Sequence, residues 1–255
     1  MDRDKVTILR DLSFLPLWFS VLLCALCGSY YFTVLVTQRT TEKHRVSQRR
    51  YYPRFKLSLD TNFKIMSKVL WRPGTMIYPL PAVMVSCGSV PEEYNILTIA
   101  WTGTICSDPA MCYISVRPMR HSYDIIKRNG DFVINLTTKS LAFATDWCGV
   151  KSGKKYNKFA EMKLTPVPAS KVKAPMIKES PVNIECIVKE IKELGSHHMF
   201  ISEVVAVSAD EEYIDEKTGL FKLNEAVPIC YSHGKYYETG NLIGKFGFSV
   251  EKKKK

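Results

Sequence analysis

Hydrophobic and polar residues alternate along much of the chain after residue 80, and long helical patterns are few. Alternation with a period of two is typical of β-strands that bury one face. A first group of predicted strands spans residues 82–87, 96–101, 111–116 and 131–136. A second group spans residues 183–194, 199–208 and a run near Ile229. We expect the two groups to form the two halves of a barrel.

Two short segments have the apolar spacing of helices, residues 122–129 and 140–146. Each opens on a serine, Ser122 or Ser140, and serine is a favoured N-cap residue because its hydroxyl accepts from an unpaired helix N–H. The predicted fold is therefore mainly β with short helices.

The candidate chemistry is concentrated in residues 94–127, YNILTIAWTGTICSDPAMCYISVRPMRHSYDIIK. Residues 98–104 alternate small or hydroxyl side chains with apolar ones, which predicts one strand with an edge that offers donors to a ligand. Arg117 and Arg120 come just before Ser122, at the predicted start of a helix. A helix N-terminus beside two guanidinium groups favours an anion, above all a terminal phosphate. An ordinary capped helix with solvated arginines is the alternative interpretation.

From Met66 onwards the chain resembles the flavoredoxin group of the flavin reductase-like family, FMN-binding proteins with a split β-barrel fold. The resemblance is carried by these segments, in this order: MSKVLWRPGTMIYPLPAVMVSCG, NILTIAWTGTICSDP, SVRPMRHSYDIIK, SGKKYNKF, APMIKESPVNIEC, LGSHHMFISEVVAV and YSHGKYYETGNLIGKFGFSVEKKKK. It implies one FMN-binding domain over residues 66–255 and a homodimer.

The resemblance also implies which residues hold FMN. Those expected along the ring and ribityl chain are Asn95, Thr98, Trp101, Thr102 and Thr104. Those expected at the phosphate are Arg117, Arg120 and Ser122. His197 matches the histidine that the family places beside the flavin. No side chain is expected to be catalytic, because the flavin carries the chemistry.

Some of these residues have a second interpretation from the sequence alone. From the sequence alone, Trp101 is better explained as a core residue, since most strand tryptophans are buried for packing; the resemblance makes a place near the flavin an equal alternative. His197 and His198 form a pair that suggests a metal site, but no third ligand stands at a suitable spacing, so we expect none. Tyr231 and Tyr236 match the family's C-terminal aromatic cluster, where core packing is the default role.

Three function classes follow. The first is an oxidoreductase that passes electrons from NAD(P)H to flavin or to a downstream acceptor. The second is a flavoredoxin-type electron carrier that holds FMN tightly and exchanges electrons with a protein donor, without oxidising a nucleotide itself. The third is an OB-like barrel that binds nucleic acid, for which residues 151–159 are the nearest candidate because basic and aromatic residues interleave there.

Residues 12–38 contain no charged side chain, a length sufficient to span a bilayer. The basic residues that follow would leave the C-terminal domain on the cytoplasmic side. The sequence favours a second interpretation, in which Met66 is the natural start and residues 1–65 are translated upstream sequence. Both interpretations predict a cytoplasmic domain, with the membrane involved only if residues 12–38 form a real helix.

Charge and cysteine content exclude little and support the cytoplasmic expectation. The net charge of the chain is +11, but residues 66–255 carry only 25 Lys and Arg against 20 Asp and Glu. Part of that excess is the Lys252–Lys255 tail, so we expect no nucleic-acid partner.

Of the eight cysteines, only Cys24 and Cys27 have CxxC spacing. No second pair accompanies them, which argues against zinc. The other cysteines are typical of reduced cytosolic thiols.

Overall fold

The structure is a computed structural model that describes residues 68–251. The apolar segment 12–38, the CxxC cysteines and the predicted start at Met66 lie outside the described residues. Within the described part of the chain, no helix has both the length and the apolar character needed to cross a membrane.

Seven antiparallel strands form the main sheet: β2 Val83–Cys87, β3 Asn95–Ile99, β4 Thr102–Ser107, β5 Ala110–Val116, β6 Asp131–Leu136, β9 Val182–Leu194 and β10 His197–Ala209. Their order across the sheet is β3-β2-β6-β9-β10-β5-β4. A three-stranded sheet pairs β1 Leu80–Pro81 with β11 Ile229–Ser232 and β12 Lys235–Glu238, and a short ribbon pairs β7 Pro166–Val167 with β8 Met176–Ile177.

The main sheet is closed into a barrel by a two-residue connection. β3 and β4 stand at opposite edges of the sheet, yet only Ala100 and Trp101 separate them. In a flat sheet the two edge strands would lie roughly 29 Å apart, far beyond the reach of two residues. The sheet therefore curls until its edges meet at this connection, the barrel join. The Trp101 carbonyl, just before β4, accepts from the Ser115 N–H of β5 at 2.9 Å and so extends the β4–β5 pairing into the connection. The predicted mainly β, split-barrel fold is confirmed.

Three helices accompany the barrel: α1 His121–Asn129, α2 Ala142–Val150 and α3 Lys158–Glu161. α1 ends at Gly130, whose positive φ of 74° allows its N–H to donate to the Ile126 carbonyl. α2 and α3 cover the outer face of β2 and β3, where Met84, Ile96 and Phe159 belong to one buried cluster. Because the barrel interior holds a second apolar cluster, β2 is buried along its whole length.

Several local predictions are wrong. Residues 98–104 are not one strand, because the chain bends at Ala100–Trp101 and crosses from one sheet edge to the other. The two strand groups do not form separate halves, since β9 and β10 lie between β6 and β5 in one sheet. Neither serine caps a helix: the N-cap of α1 is Arg120, and Ser140 lies in a 3₁₀ turn before α2 with its hydroxyl against that of Thr138.

Candidate functional site

Two adjoining cavities open beside the barrel join. The larger has a volume of about 490 Å³ and the smaller about 170 Å³. Leu97 on β3 and Arg120 before α1 line both cavities. A ligand with an extended shape can therefore occupy them together, with one end in each.

Aromatic side chains from three elements line the larger cavity. Trp101 comes from the barrel join, His197 from the start of β10, and Tyr231 and Tyr236 from the β11–β12 hairpin. The Trp101 and His197 rings are nearly parallel, with 9° between their planes and 5.9 Å between their centroids. These rings provide flat, apolar surface suited to a planar ligand.

The larger cavity also alters the titration of its side chains. Burial lowers the pKa of His197, and the charges of Arg117 and Arg120 lower it further. The imidazole is therefore neutral at pH 7. Burial raises the pKa of Tyr236 to about 12, and the neighbouring Asp146 carboxylate adds to that shift. Tyr236 consequently keeps its proton throughout the physiological range.

The smaller cavity is built around the N-terminus of α1. Arg120, His121 and Ser122 line it, and the first N–H groups of a helix lack intrahelical partners. Ser122 is buried, and its hydroxyl accepts a hydrogen bond from the Asn95 amide nitrogen at 2.7 Å. Burial lowers the pKa of His121, helped by Lys154 and Lys158. The cavity therefore combines a helix dipole with cationic side chains, which favours an anion.

Lys158 is the most informative residue of the smaller cavity. Only 2% of it is exposed, and its ammonium donates to the carbonyls of Ile96 and Cys148, both at 2.6 Å. Burial lowers its pKa to about 8, and Arg120 contributes in the same direction. No carboxylate among residues 68–251 forms an ion pair with it. A buried cation without a carboxylate partner is costly, and an anionic ligand in this cavity would offset that cost.

Gly153 allows the 151–158 loop to close over the cavity. A Cβ at this position would lie 2.2 Å from the Asn95 side-chain oxygen, so no larger residue fits without displacing Asn95. Because Asn95 in turn donates to Ser122, the loop, β3 and the start of α1 are held together at this point. The close approach explains the glycine in physical terms.

Seven of the nine residues predicted to hold FMN line these cavities. Those in the larger cavity are Thr98, Trp101, Arg117, Arg120 and His197, and those in the smaller are Asn95, Arg120 and Ser122. The Thr98 hydroxyl donates to the Thr145 carbonyl of α2, so it already holds a helix in place.

Thr102 and Thr104 line neither cavity, because they follow the bend and belong to β4. Thr102 is buried with its hydroxyl donating to the Tyr113 carbonyl at 2.6 Å, and Thr104 is exposed. The remaining member of the histidine pair, His198, contacts the Tyr123 hydroxyl through Nδ1 at 2.8 Å and does not line either cavity.

Sequence reasoning named none of Lys158, Gly153 and Asp146 as site residues. The first two belong to SGKKYNKF, which the family resemblance places in the loop and short helix that border the flavin site, so the segment was located without its individual residues. Tyr231 and Tyr236 were expected to be core residues, and they line the larger cavity instead.

A β-barrel with a cationic cavity at a helix N-terminus beside an aromatic cavity is suited to a ligand that carries a phosphate group and a planar ring. The comparisons identify the class of protein. The sequence profile described as "Flavin reductase like domain" matches residues 75–240, and the chain belongs to this family. The predicted family is thus confirmed.

Relatives agree with this membership. The flavoredoxin of Desulfovibrio vulgaris (Miyazaki F) is 31% identical, with a TM-score of 0.67 over 73% of this chain and 100% of that one. The flavoredoxin of Methanosarcina acetivorans is 26% identical, with a TM-score of 0.65 and the same coverage. An uncharacterized protein of Pyrococcus abyssi is 31% identical over 157 residues, 62% of this chain and 90% of the relative.

Proposed function

We propose that this chain is an FMN-binding oxidoreductase that passes electrons from NAD(P)H to flavin or to a downstream acceptor. The observation that carries the proposal is the pairing of two cavities: a cationic one at the start of α1 and an aromatic one at the barrel join. FMN has a phosphate at one end and a planar ring at the other. Membership of the flavin reductase-like family and the likeness to flavoredoxins support FMN as the ligand.

The residues present fit FMN. Lys158, Ser122 and Arg120 would hold the phosphate, since a buried unpaired cation and a helix N-terminus meet in that cavity. Trp101 and His197 would contact the ring system in the larger cavity. When bound, FMN supplies the hydride-accepting and electron-carrying chemistry.

The chain's own residues then orient the ligand and control its surroundings. The neutral His197 imidazole can form hydrogen bonds without adding a third positive charge beside Arg117 and Arg120. Tyr236 keeps its hydroxyl proton, so it adds a polar but uncharged group to the wall. None of these roles requires an acid–base dyad or a nucleophile.

The second candidate function is a flavoredoxin-type electron carrier, favoured by the two flavoredoxins among the similar structures. The two functions differ in whether a nicotinamide nucleotide reduces the bound flavin. FMN-loaded protein is mixed anaerobically with NADH or NADPH, and the visible flavin absorbance is followed by stopped flow. Rapid bleaching by either nucleotide supports the enzyme. Absence of bleaching by both, together with rapid reduction by a protein donor, supports the carrier.

We also propose that the protein forms a homodimer. Among the described residues, the segment after β12 exposes large apolar side chains, including Leu242, Ile243 and Phe246. Exposed clusters of this kind mark interaction surfaces in soluble proteins. The proposed compartment is the cytoplasm, in keeping with the free thiols of the described cysteines.

A further inference from the structure

A basic rim surrounds the mouths of the two cavities. We define it as Arg117, Arg120, Lys151, Lys154 and Lys155, all of them exposed. Arg117 and Arg120 line the larger cavity, Lys151 lines the smaller, and Lys154 lies close enough to His121 to lower its pKa. No rim residue forms an ion pair with a carboxylate of residues 68–251.

Two large, exposed apolar side chains line the same cavities as these charges. Met119 is 79% exposed and lines the smaller cavity, and Val150 is 67% exposed and lines the larger one. The Arg120 guanidinium donates to the Gly149 carbonyl at 3.2 Å, which holds the residue 117–120 turn against the end of α2. The 117–120 turn of the rim is thus held in place, and exposed apolar and cationic side chains line the same cavities.

The rim carries more positive charge than one bound phosphate needs. Lys158 and the start of α1 already serve the smaller cavity from inside. Asp124 beside His121 and Asp146 in the larger cavity supply negative charge nearby. These two carboxylates are too few to neutralise the five rim cations. A focused positive potential around a cavity mouth raises the association rate of acidic partners.

We infer that the basic rim is the docking surface for an acidic electron-transfer protein. The inference rests on the FMN site of the proposed function in its second form, in which the bound flavin exchanges electrons with a protein, and it names the class of that protein. Electron-transfer complexes are small and transient, and a charged border around a limited apolar centre suits them. Docking there would bring the partner's redox centre to the mouths of both cavities.

Single-stranded nucleic acid is a poorer match to this surface. Such ligands need exposed aromatic faces on which bases stack. Tyr156 has the Trp147 ring edge-on at 5.5 Å and the Lys151 ammonium over its face at 5.8 Å, and Phe159 is buried. Phe159 is therefore unavailable for stacking, and Tyr156, although 38% exposed, has the Lys151 ammonium over one face of its ring.

The electron balance requires two encounters with a one-electron donor. Each reduced [2Fe–2S] ferredoxin is oxidised by one electron on docking. Two such electrons, with two protons from water, convert oxidised FMN to its two-electron-reduced form. A plant-type ferredoxin has a low reduction potential, which makes it a suitable electron donor for this step.

The test uses the full chain and an acidic plant-type ferredoxin as the probe. The variant Lys154→Glu/Lys155→Glu reverses two rim charges that line neither cavity. The control Lys178→Glu/Lys217→Glu makes the same charge change at exposed lysines away from the cavities. Association of oxidised ferredoxin is measured by biolayer interferometry at low and high salt, with and without FMN. The FMN affinity, the rate of NADPH oxidation and the binding of a single-stranded oligonucleotide are measured for each protein alongside.

We expect the rim variant to lower the association rate at low salt by about tenfold or more and to flatten its salt dependence. The control should stay within about twofold of the unaltered protein. Equal effects of the two variants, or no ferredoxin complex at low salt, would overturn the inference. A loss confined to NADPH oxidation, or to binding of a single-stranded oligonucleotide, would overturn it in favour of a nucleotide or nucleic-acid surface.

Failure of the proposed function has a different signature. In that case the unaltered protein takes up no FMN, whatever its affinity for ferredoxin. Ferredoxin binding without FMN uptake would show a docking surface that does not deliver electrons to FMN, and this result would also contradict the inference. FMN uptake without ferredoxin binding would overturn only the docking surface.

Discussion

At the scale of single residues, Lys158 is the side chain on which the proposed phosphate site depends most. Its ammonium is buried, donates to two carbonyl oxygens and meets no carboxylate of the described chain. Folding without a ligand therefore places an uncompensated cation in a cavity wall. A bound phosphate would turn that cost into binding free energy, because charge-assisted hydrogen bonds are among the stronger ones in proteins.

The lowered pKa of Lys158 predicts opposite pH effects on ligand affinity and on stability. As the pH rises through about 8, the ammonium loses its proton and FMN affinity should fall. Over the interval from about 8 to the ordinary value of 10.5, the unfolded chain binds more protons than the folded one. The FMN-free protein should therefore gain stability there, by up to roughly 3 kcal/mol. Urea titrations and FMN titrations across this range measure both effects.

Lys158→Met is the matched control for these pH effects. Methionine keeps an unbranched apolar stem without the charge, so the variant should lose both pH dependences and be at least as stable as the unaltered FMN-free protein at pH 7. A variant that keeps the same pH dependence of stability would show that Lys158 is not the titrating group.

Gly153→Ala should weaken FMN binding and destabilise the fold. The new methyl would approach the Asn95 side-chain oxygen at 2.2 Å, which forces Asn95 away from Ser122. We expect a loss of about 1–3 kcal/mol in the free energy of unfolding. Gly240→Ala is the control, because its Cβ would meet no atom within 4 Å. Equal denaturation midpoints for the two variants would contradict the close packing of loop and strand.

Sequence reasoning at this scale located the site but not its central cation. Arg120 and Ser122 were predicted from the start of a helix, and both line the smaller cavity. Residues 151–159 contain four lysines, and Lys158 is one of them. Nothing in their spacing along the chain distinguishes the buried lysine from the exposed ones. Its burial depends on α3 folding back onto β3, a tertiary contact.

At the scale of elements, the strands were predictable and the barrel join was not. β6 was predicted with its observed bounds, and β5, β9 and β10 differ from prediction by one or two residues at an end. Residues 98–104 continue the alternation across Ala100 and Trp101, so the pattern gives no sign that the chain leaves one sheet edge for the other. The bend at Ala100 and Trp101 arises because the whole sheet curls until its two edge strands meet.

Glu185 holds the loop between β7 and β8 against the central strand of the main sheet through hydrogen bonds. It lies on β9, and its carboxylate accepts from the Ser170 N–H at 2.9 Å and the Lys171 N–H at 2.6 Å. Although burial opposes ionisation, these N–H groups lower the pKa of the carboxyl below its usual 4.5. Its stabilising contribution is therefore present above that value and is lost as the pH falls through the folded-state pKa.

Glu185→Gln should cost about 1–3 kcal/mol of unfolding free energy at pH 7, because charge-assisted bonds become neutral ones. The variant should also lose part of the acid sensitivity of the unaltered protein. Glu190→Gln, an exposed position on the same strand, provides the comparison and should change stability by less than about 0.5 kcal/mol. Urea denaturation at pH 7 and pH 4 tests the pair, and equal losses would argue against a special role for Glu185.

At the scale of the whole molecule, the exposed C-terminal segment predicts self-association. Leu242, Ile243 and Phe246 are 86%, 94% and 107% exposed, and their exposure in a monomer would favour aggregation. Replacing all three by serine should shift a dimer toward monomer in sedimentation velocity. Leu220→Ser alters another exposed apolar residue and should leave the dimer intact. A monomeric unaltered protein would contradict the proposed dimer.

The central claim is that the cavity around Lys158 and the start of α1 receives the FMN phosphate. FMN and riboflavin differ only in that phosphate, so their relative affinities for the full chain test it most directly. Titration should show FMN binding about 100-fold more tightly than riboflavin, and Lys158→Met should reduce this preference by about tenfold or more while riboflavin affinity stays nearly constant. Equal affinities for FMN and riboflavin in the unaltered protein, or an unchanged preference in Lys158→Met, would contradict the account.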